Sequence, residues 1–501
     1  MASSRRGVPQ AARSPWSLGR DGSGTESYGG SVTVQQRVLV VAVLASFVSF
    51  LDGSVVNVAL PAISAELTTG PVTGLALQQW VVDAYMITLG ALILLAGSLS
   101  DVHGRRRIMA IGLVGFAVTS VACALAPDGL VLVVARGLQG VAGALLVPSS
   151  LAMIISTFDG ERQARAIGSW TAWTSTASLV GPLLGGILID AISWRWVFWI
   201  NVLPVAVTLW LLRGVPRSAA EEPGAAAGPG GRRRIDTLGA TLAAVGLAGT
   251  VFALIEQGRF GWASPVVWGP FAVGVVCLAA FVGWERRAPD PMLPPRLFRV
   301  RNFAWGNLAT AAIYGALYFG GFVVTLFLQQ VGGYSATAAG LAQLPVTLVL
   351  LALSTRFGAL AGRYGPRLFM TLGPIVGGAG YLLLLTTTDD AVYVTQVLPG
   401  LVLFGLGLAM TVAPLTSAIL GSIPAADAGI GSAVNNAVSR VAGLVVIAFA
   451  GVIVGGVLDL DGFHRSLLVT AALLVLGGVL SWVGIRNDRV RAADAGEAQS
   501  G

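Results

Sequence analysis

The chain contains no lysine. Its 31 basic residues are all arginine, set against 24 acidic ones, and charged residues fill only 11% of 501 positions. A soluble globular chain carries about 25% charged residues. With 55% hydrophobic residues, too little polar surface remains to coat water-soluble domains, so most of the chain must face lipid. The lack of lysine excludes a phosphate-binding Walker lysine and Schiff-base chemistry. Histidine is nearly as scarce: His103 and His464 are the only two, and the two cysteines, Cys123 and Cys277, are widely separated. No clustered His/Cys metal site is expected, and no cofactor. Each cysteine lies in an apolar stretch and reads as a small buried hydrophobe.

Apolar sequence is what the chain has in quantity. Stretches of about 20 residues, enough to cross a bilayer, begin near Arg37, Gln78, Ile108, Gly129, Arg165, Trp196, Asp236, Pro265, Phe303, Ala336, Leu368, Val392, Val434 and Ser466. This predicts an all-α polytopic membrane protein with fourteen transmembrane helices. Before the first span the chain is polar and rich in Ser, Gly and Arg, the composition of a disordered tail. Arg5-Arg6 has the look of a twin-arginine signal, but Pro9 and a polar run follow where an apolar core should start, so the expectation is an uncleaved tail. Arginines recur after every second span, as in Arg105 to Arg107, Arg162 and Arg165, Arg213 and Arg217, Arg286 and Arg287, Arg363 and Arg367, and Arg486 and Arg489. The opposite loops hold few, namely Arg195, Arg259 and Arg465. By the positive-inside rule both termini are cytoplasmic and the span count is even.

Two segments repeat in register. Gly97-Ser-Leu99-Ser-Asp101-Val-His103-Gly104-Arg105-Arg106 closes span two, and Gly358-Ala-Leu360-Ala-Gly362-Arg363-Tyr364-Gly365-Pro-Arg367 closes span ten. Both fall at the same membrane face, which implies a parallel duplication of two helical halves. The expected division is a cytoplasmic tail (1–36), a first six-helix half (37–213), a flexible linker (214–235), an inserted helix pair with its loop (236–302), a second six-helix half (303–486) and a closing tail (487–501).

Within span one, Leu51-Asp52-Gly-Ser-Val-Val-Asn57-Val-Ala-Leu-Pro61 places a carboxylate deep in an apolar helix, a functional signal by default. At 1.5 Å per residue, Asp52 lies about 22 Å from the cytoplasmic edge, and Arg136 in span four reaches similar depth. An aspartate set between desolvation, which favours the neutral acid, and an arginine, which favours the anion, can exchange a proton in one conformation only. A permanent structural ion pair is the competing reading. Asp83, in Gln79-Trp80-Val-Val-Asp83-Ala-Tyr85, either helps bind a cation or relay protons, or sits hydrated near the outer interface beside its Trp. Glu256, near the outer end of span seven, reads as a snorkelling interfacial acid. Gln139 lies one turn beyond Arg136 and presents a donor to the same space; with Asn57 it is a candidate substrate contact. Asn307, Tyr314, Tyr318 and Thr325 recur at spacings of seven, four and seven on one face of span nine, an aromatic wall suited to flat lipophilic or cationic compounds. Gly181-Pro182-Leu-Leu-Gly185-Gly186 in span five combines a kink with close-packing glycines.

Jointly these segments resemble the major facilitator superfamily, specifically its fourteen-helix drug:proton antiporter branch, from about Arg37 to Arg486. The likeness is carried by the span-one element, the Gly97 to Arg107 loop, Arg136-Gly-Leu-Gln139-Gly140, the Gly181-Pro182 element, Trp194-Arg195-Trp196-Val-Phe198-Trp-Ile-Asn201, and Gly429-Ile-Gly431-Ser-Ala-Val-Asn435-Asn436-Ala-Val-Ser-Arg440. It implies proton-driven export of amphipathic drugs or small molecules across the cytoplasmic membrane, by rocking of two six-helix halves with two linker helices inserted between them. By that resemblance Asp52 is a coupling carboxylate and Arg136 its partner. Gly97, Asp101, Gly104 and Arg105 form a conformational latch in which Asp101 meets the cytoplasmic start of span thirteen near Arg440. The glycine-proline element belongs to antiporters, although Ala177 stands where that motif normally has Gly, and Gly362 replaces the acid of the latch in the second half. The implied partners are the bilayer, protons and a small-molecule substrate, with no nucleic acid, and the chain is expected to act as a monomer. An exporter dedicated to one metabolite shares every one of these motifs. An importer differs only in direction. A membrane enzyme needs clustered carboxylates near the bilayer, and the adjacent acidic pairs, Glu221-Glu222 and Asp389-Asp390, fall in predicted loops.

Overall fold

The computed structural model describes residues 28–158, 160–215, 236–289, 291–424 and 427–487. The linker arginines, Glu221 and Glu222, most of both tails and the side chain of Asp101 lie outside the described residues. In lipid every backbone polar group must be satisfied within the chain, and the described residues form helices with no strands. In chain order the membrane helices are α1 (Tyr28–Glu66), α2 (Gly74–His103), α3 (Arg105–Ala124), α4 (Gly129–Thr157) and α5 (Gly160–Ala191). They continue as α6 (Trp196–Arg213), α7 (Thr237–Phe260), α8 (Pro265–Glu285), α9 (Arg301–Gln330) and α10 (Ala336–Tyr364). The last four are α11 (Pro366–Leu383), α12 (Leu398–Leu420), α13 (Ala428–Ala448) and α14 (Leu460–Gly484). Over the described residues, thirteen of these spans are long and apolar enough to cross a membrane. In α5, 32 residues long, several side chains lie outside the described residues, and Val180–Ala191 is its uninterrupted described apolar stretch. The first helix starts at Tyr28, earlier than the expected boundary at Arg37.

The repeated segments serve as the same joint twice. Gly104 (φ 91°, ψ 127°) ends α2 and begins α3, and Gly365 (φ 85°, ψ 153°) ends α10 and begins α11. A side chain is strained at such positive φ, so a glycine is needed to turn one helix directly into the next. Arg105 then donates from Nη1 to the Ala152 carbonyl of α4 at 2.9 Å, and Gly97 faces Pro148 of α4. Several helices begin at a capping oxygen: Asp128 accepts from Val131 N at 2.9 Å, Asp236 from Gly239 N at 2.8 Å, and Asp459 from Gly462 N at 2.7 Å.

The helix pair α7–α8 flanks the bundle. α8 packs on α7 through small residues, a methyl group on Gly249 lying only 2.5 Å from the Pro270 carbonyl, while its other faces stay exposed, as suits a lipid-facing helix. Glu256 is not a snorkelling acid: it is buried and accepts a 2.9 Å hydrogen bond from Trp80 Nε1 of α2. The helix lies against α2 with Phe252 beside the Trp80 ring, which puts Glu256 on its protein-facing side.

Among the described residues, hydrogen bonds between the two halves cluster toward the end remote from the chain termini. Gln79 Nε2 of α2 donates to the Ile447 and Ala448 carbonyls of α13 at 2.8 and 3.1 Å. Gln329 of α9 donates to the Val58 carbonyl of α1 at 3.1 Å. Asp190 of α5 accepts from the first backbone amides of α10, Ala336 and Thr337, at 3.2 and 2.8 Å, an anion at a helix N-terminus. At this end Glu66 is paired with Arg195 and accepts from Trp194 Nε1, Arg259 donates to the Pro71 carbonyl and Arg465 to that of Val454. The three arginines that depart from the positive-inside pattern are therefore used as tethers.

Candidate functional site

Small residues bring α4 against α2. A side chain at Gly140 would run into the Tyr85 carbonyl and the Thr88 hydroxyl, and Thr88 Oγ1 donates across the contact to the Gly137 carbonyl at 2.7 Å. This close approach lets Arg136 Nε donate to the Val81 carbonyl at 3.0 Å. From there Arg136 Nη1 reaches Asp52 Oδ2 of α1 at 2.6 Å and Gln139 Oε1 at 2.7 Å. Gln139 Nε2 donates to Asp52 Oδ1 at 3.0 Å and to Ser120 Oγ of α3 at 2.8 Å. Asn201 Nδ2, at the break between the two helical pieces of α6, donates to the same Asp52 oxygen at 2.8 Å. The Tyr85 ring covers the guanidinium, with Cζ 4.3 Å from its centroid, and Tyr85 Oη bonds Ser49 Oγ at 3.0 Å.

Asp52, Gln139, Asn201 and Ser120 are 0% exposed and Arg136 1%. Charges this far from water persist only when paired and hydrogen-bonded. The predicted meeting of Asp52 and Arg136 is made, with Gln139 as its third member. Gln139 is however committed to the carboxylate and Ser120, not to a substrate space. Asn201 and Ser120, for which the sequence suggests no individual role, complete the cluster; Asn201 belongs to the Trp194 to Asn201 segment. Asn57 stands apart, bonded to the Gly53 carbonyl of its own helix at 3.3 Å.

Asp83 is fully buried, which overturns the hydrated-interface reading, and neither carboxylate oxygen has a hydrogen-bond partner. It lies one turn from Gln79 on the face of α2 that meets α13. The Asp101 side chain of the predicted latch lies outside the described residues. Arg440 is not at the start of its helix: α13 begins at Ala428, so Arg440 is about 18 Å along it. There it lies beside Gly90, where a methyl group would be 3.8 Å from Arg440 Cβ, about 16 Å along α2 from Asp101.

A cavity of about 210 Å³ lies between the halves, lined by Phe50 of α1, Tyr314 and Tyr318 of α9, and Asn435, Asn436 and Arg440 of α13, with residues of α12. Only the middle of the predicted α9 stripe reaches it. Asn307 is buried behind the wall, accepting from Asn435 Nδ2 at 3.2 Å, and Thr325 lies beyond it, accepting from Gln343 Nε2 at 2.6 Å. In α5, Gly181 abuts the Ser54 hydroxyl, Gly185 is 2.6 Å from Val55 Cγ2 when given a methyl group, and Gly186 is 2.5 Å from Thr337 Cα. The Gly181-Pro182 element thus packs α5 at once on α1 and on α10 of the other half. Trp170 donates to Ser46 Oγ at 3.0 Å, whereas Trp173 is 55% exposed. No cluster of three metal-ligating side chains is present among the described residues.

Two helical halves, a charge pair sealed inside one of them and a cavity between them define a membrane transporter of the alternating-access type. The chain belongs to the Major Facilitator Superfamily, whose profile matches residues 42–447. It is 34% identical over 418 residues to the multidrug resistance protein Stp of Mycobacterium tuberculosis, covering 83% of this chain and 75% of that protein. It is 33% identical over 482 residues to the puromycin resistance protein pur8 of Streptomyces alboniger, covering 91% and 92%. Among solved structures, a D-xylose-proton symporter superposes with a TM-score of 0.64 at 17% identity, over 92% of this chain and 99% of that one, a likeness of fold alone.

Proposed function

We propose that this chain is a proton-coupled antiporter that exports amphipathic small molecules across the cytoplasmic membrane, with both termini in the cytoplasm and residues 37–213 and 303–486 rocking as two halves. The observation that carries this reading is Asp52, a carboxylate buried in the first half and held by Arg136, Gln139 and Asn201 from two other helices. Protonation of Asp52 cancels its charge and loosens Arg136, which keeps Gln139 Oε1 and the Val81 carbonyl as acceptors. The packing of α1 against α4 thereby depends on proton occupancy, and substrate enters the cavity from the cytoplasm, a reading supported by the hydrogen bonds that join the halves at the end remote from the termini. Asp83 is the second proton-carrying candidate, since unpaired intramembrane acids mark relays. Tyr314 and Tyr318 contact the substrate, and the Gly97 to Arg105 joint, with Asp101, acts when the halves close at that end. The two relatives are named for resistance to toxic compounds, which export of such compounds would produce. Breadth like that of a multidrug protein and dedication to one antibiotic are both compatible with these residues.

The test is proton release from acidified everted vesicles on adding a panel of amphipathic compounds, comparing the parent with Asp52→Asn. Several unrelated compounds should collapse the gradient in the parent and none in the variant. A full response from Asp52→Asn removes that residue from the coupling role and transfers it to Asp83.

A further inference from the structure

Two arginines lie deep within the bundle, and they are treated differently. Arg136 is spent on Asp52, Gln139 and the Val81 carbonyl. Arg440 is 8% exposed and its Nε has no hydrogen-bond partner; among the described residues no hydrogen bond or ion pair engages its guanidinium. The nearest aromatic ring, Phe50, has its centroid 5.8 Å from Cζ, the outer limit of a cation–π contact. Arg440 lines the central cavity, and no carboxylate lines it with Arg440. A guanidinium held inside a membrane protein without a counter-charge is costly unless something that enters the space supplies one.

The rest of the lining fits one kind of visitor. Asn435 has spent Nδ2 on Asn307 and Thr310, and Asn436 donates to the Ser432 carbonyl, so Arg440 is the dominant free donor. A planar guanidinium favours a two-oxygen anion. The Tyr314 and Tyr318 rings, 6.5 Å apart and inclined at 45°, line the same cavity, and aromatic rings suit a flat apolar body.

We propose that the cavity takes an organic monoanion, with a carboxylate or similar headgroup on Arg440 and an aromatic body against Tyr314 and Tyr318. This deepens the exporter reading, and rests on it, by naming the charge of the substrate as negative where an aromatic wall alone suggested a cation.

The experiment measures binding of 4-phenylbenzoate, its methyl ester and 4-phenylbenzylammonium to the full-length protein in phosphatidylcholine nanodiscs. One ring system then carries three head charges. The parent binds the carboxylate about tenfold or more tighter than the other two; Arg440→Gln binds all three alike, with ester binding as in the parent as proof of folding; Arg440→Lys keeps a reduced preference. Equal binding of the three by the parent overturns the proposal whatever the variants do, as does a carboxylate preference that survives Arg440→Gln. Repeating the measurement with phosphatidylglycerol in the disc separates the sources of the anion. Competition assigns the site to a lipid headgroup, and its absence to a free amphiphile, and either keeps an anion on Arg440. The vesicle assay keeps the two readings apart. Selective carboxylate binding without any proton movement leaves the anion site standing and removes antiport. Proton movement driven by the ammonium and ester, with no carboxylate binding, does the reverse.

Discussion

Replacing Arg136 by methionine removes the one full positive charge beside Asp52 while roughly keeping the volume of the side chain. Asp52 then keeps only the amide donors of Gln139 and Asn201, at 3.0 and 2.8 Å, inside a site that admits no water-exposed surface. Breaking a buried pair on one side costs about 3–5 kcal/mol, a large share of the roughly 5–15 kcal/mol that holds a folded domain together. Removing both charges in Asp52→Asn/Arg136→Met eliminates the stranded anion, so the double variant should be more stable than Arg136→Met alone. The coupling in that cycle should reach about 1–3 kcal/mol, as expected for directly bonded neighbours. Scanning fluorimetry of the detergent-solubilised protein, backed by denaturant titration, ranks the parent first, the double variant second and Arg136→Met last. If Arg136→Met melts with the parent, or the two single losses simply add, then Asp52 does not depend on Arg136 and the description of the cluster as one cooperative unit is wrong.

Other outcomes follow from particular contacts. Trp80→Phe strands the buried Glu256 carboxylate and should cost about 1–3 kcal/mol, whereas Glu256→Gln keeps an acceptor and should melt near the parent. Gly186→Val drives a side chain into the backbone of α10, 2.5 Å from Thr337 Cα, and should weaken the closed end by about 1–3 kcal/mol. A cysteine placed at Gln329 in a background lacking Cys123 and Cys277 should then react faster with a maleimide, and an unchanged rate would show that α5 and α10 do not set the closure. Tyr318→Ala should reduce binding of 4-phenylbenzoate by about 0.5–1.5 kcal/mol, while Thr325→Val, from the same predicted stripe but outside the cavity, should leave it unchanged.

The fold and the central ion pair were legible in the sequence because both depend on simple lengths. Span length, arginine placement and helical rise were enough to bring Asp52 and Arg136 to one depth. Ser120 and Asn201 were not legible as partners, since they arrive from α3 and from the break in α6, and no local spacing announces a contact made between helices distant in sequence. The α9 stripe was correct as periodicity, but a helix 30 residues long passes well beyond a cavity that spans only its middle, so Asn307 and Thr325 serve packing instead. Arg440 was misplaced because the onset of α13 was read too close to it. Once the helix is seen to begin at Ala428, the same residue moves from the membrane face to the cavity wall. Glu256 was misread because its distance from the helix end resembled that of an interfacial residue, while its neighbour Trp80 belongs to a helix more than a hundred residues earlier.

The polar first half of α5 bears on how the protein is made. Glu161, Arg162, Gln163 and Arg165, followed by serines and threonines as far as Ser178, make the first half of α5 less apolar than the stretch from Leu179 onward, and polar groups in a span are better accommodated against protein than against lipid. Its polar groups become acceptable against protein, where Trp170 and Ala177 find Ser46 and Ser54 of α1. The serines on the inner face of α1 are thus expected to steady α5 once both helices are in the membrane, a contribution to assembly separate from transport. Substitutions at Ser46 or Ser54 would then be felt first as a loss of assembled protein in the membrane, before any loss of transport per molecule.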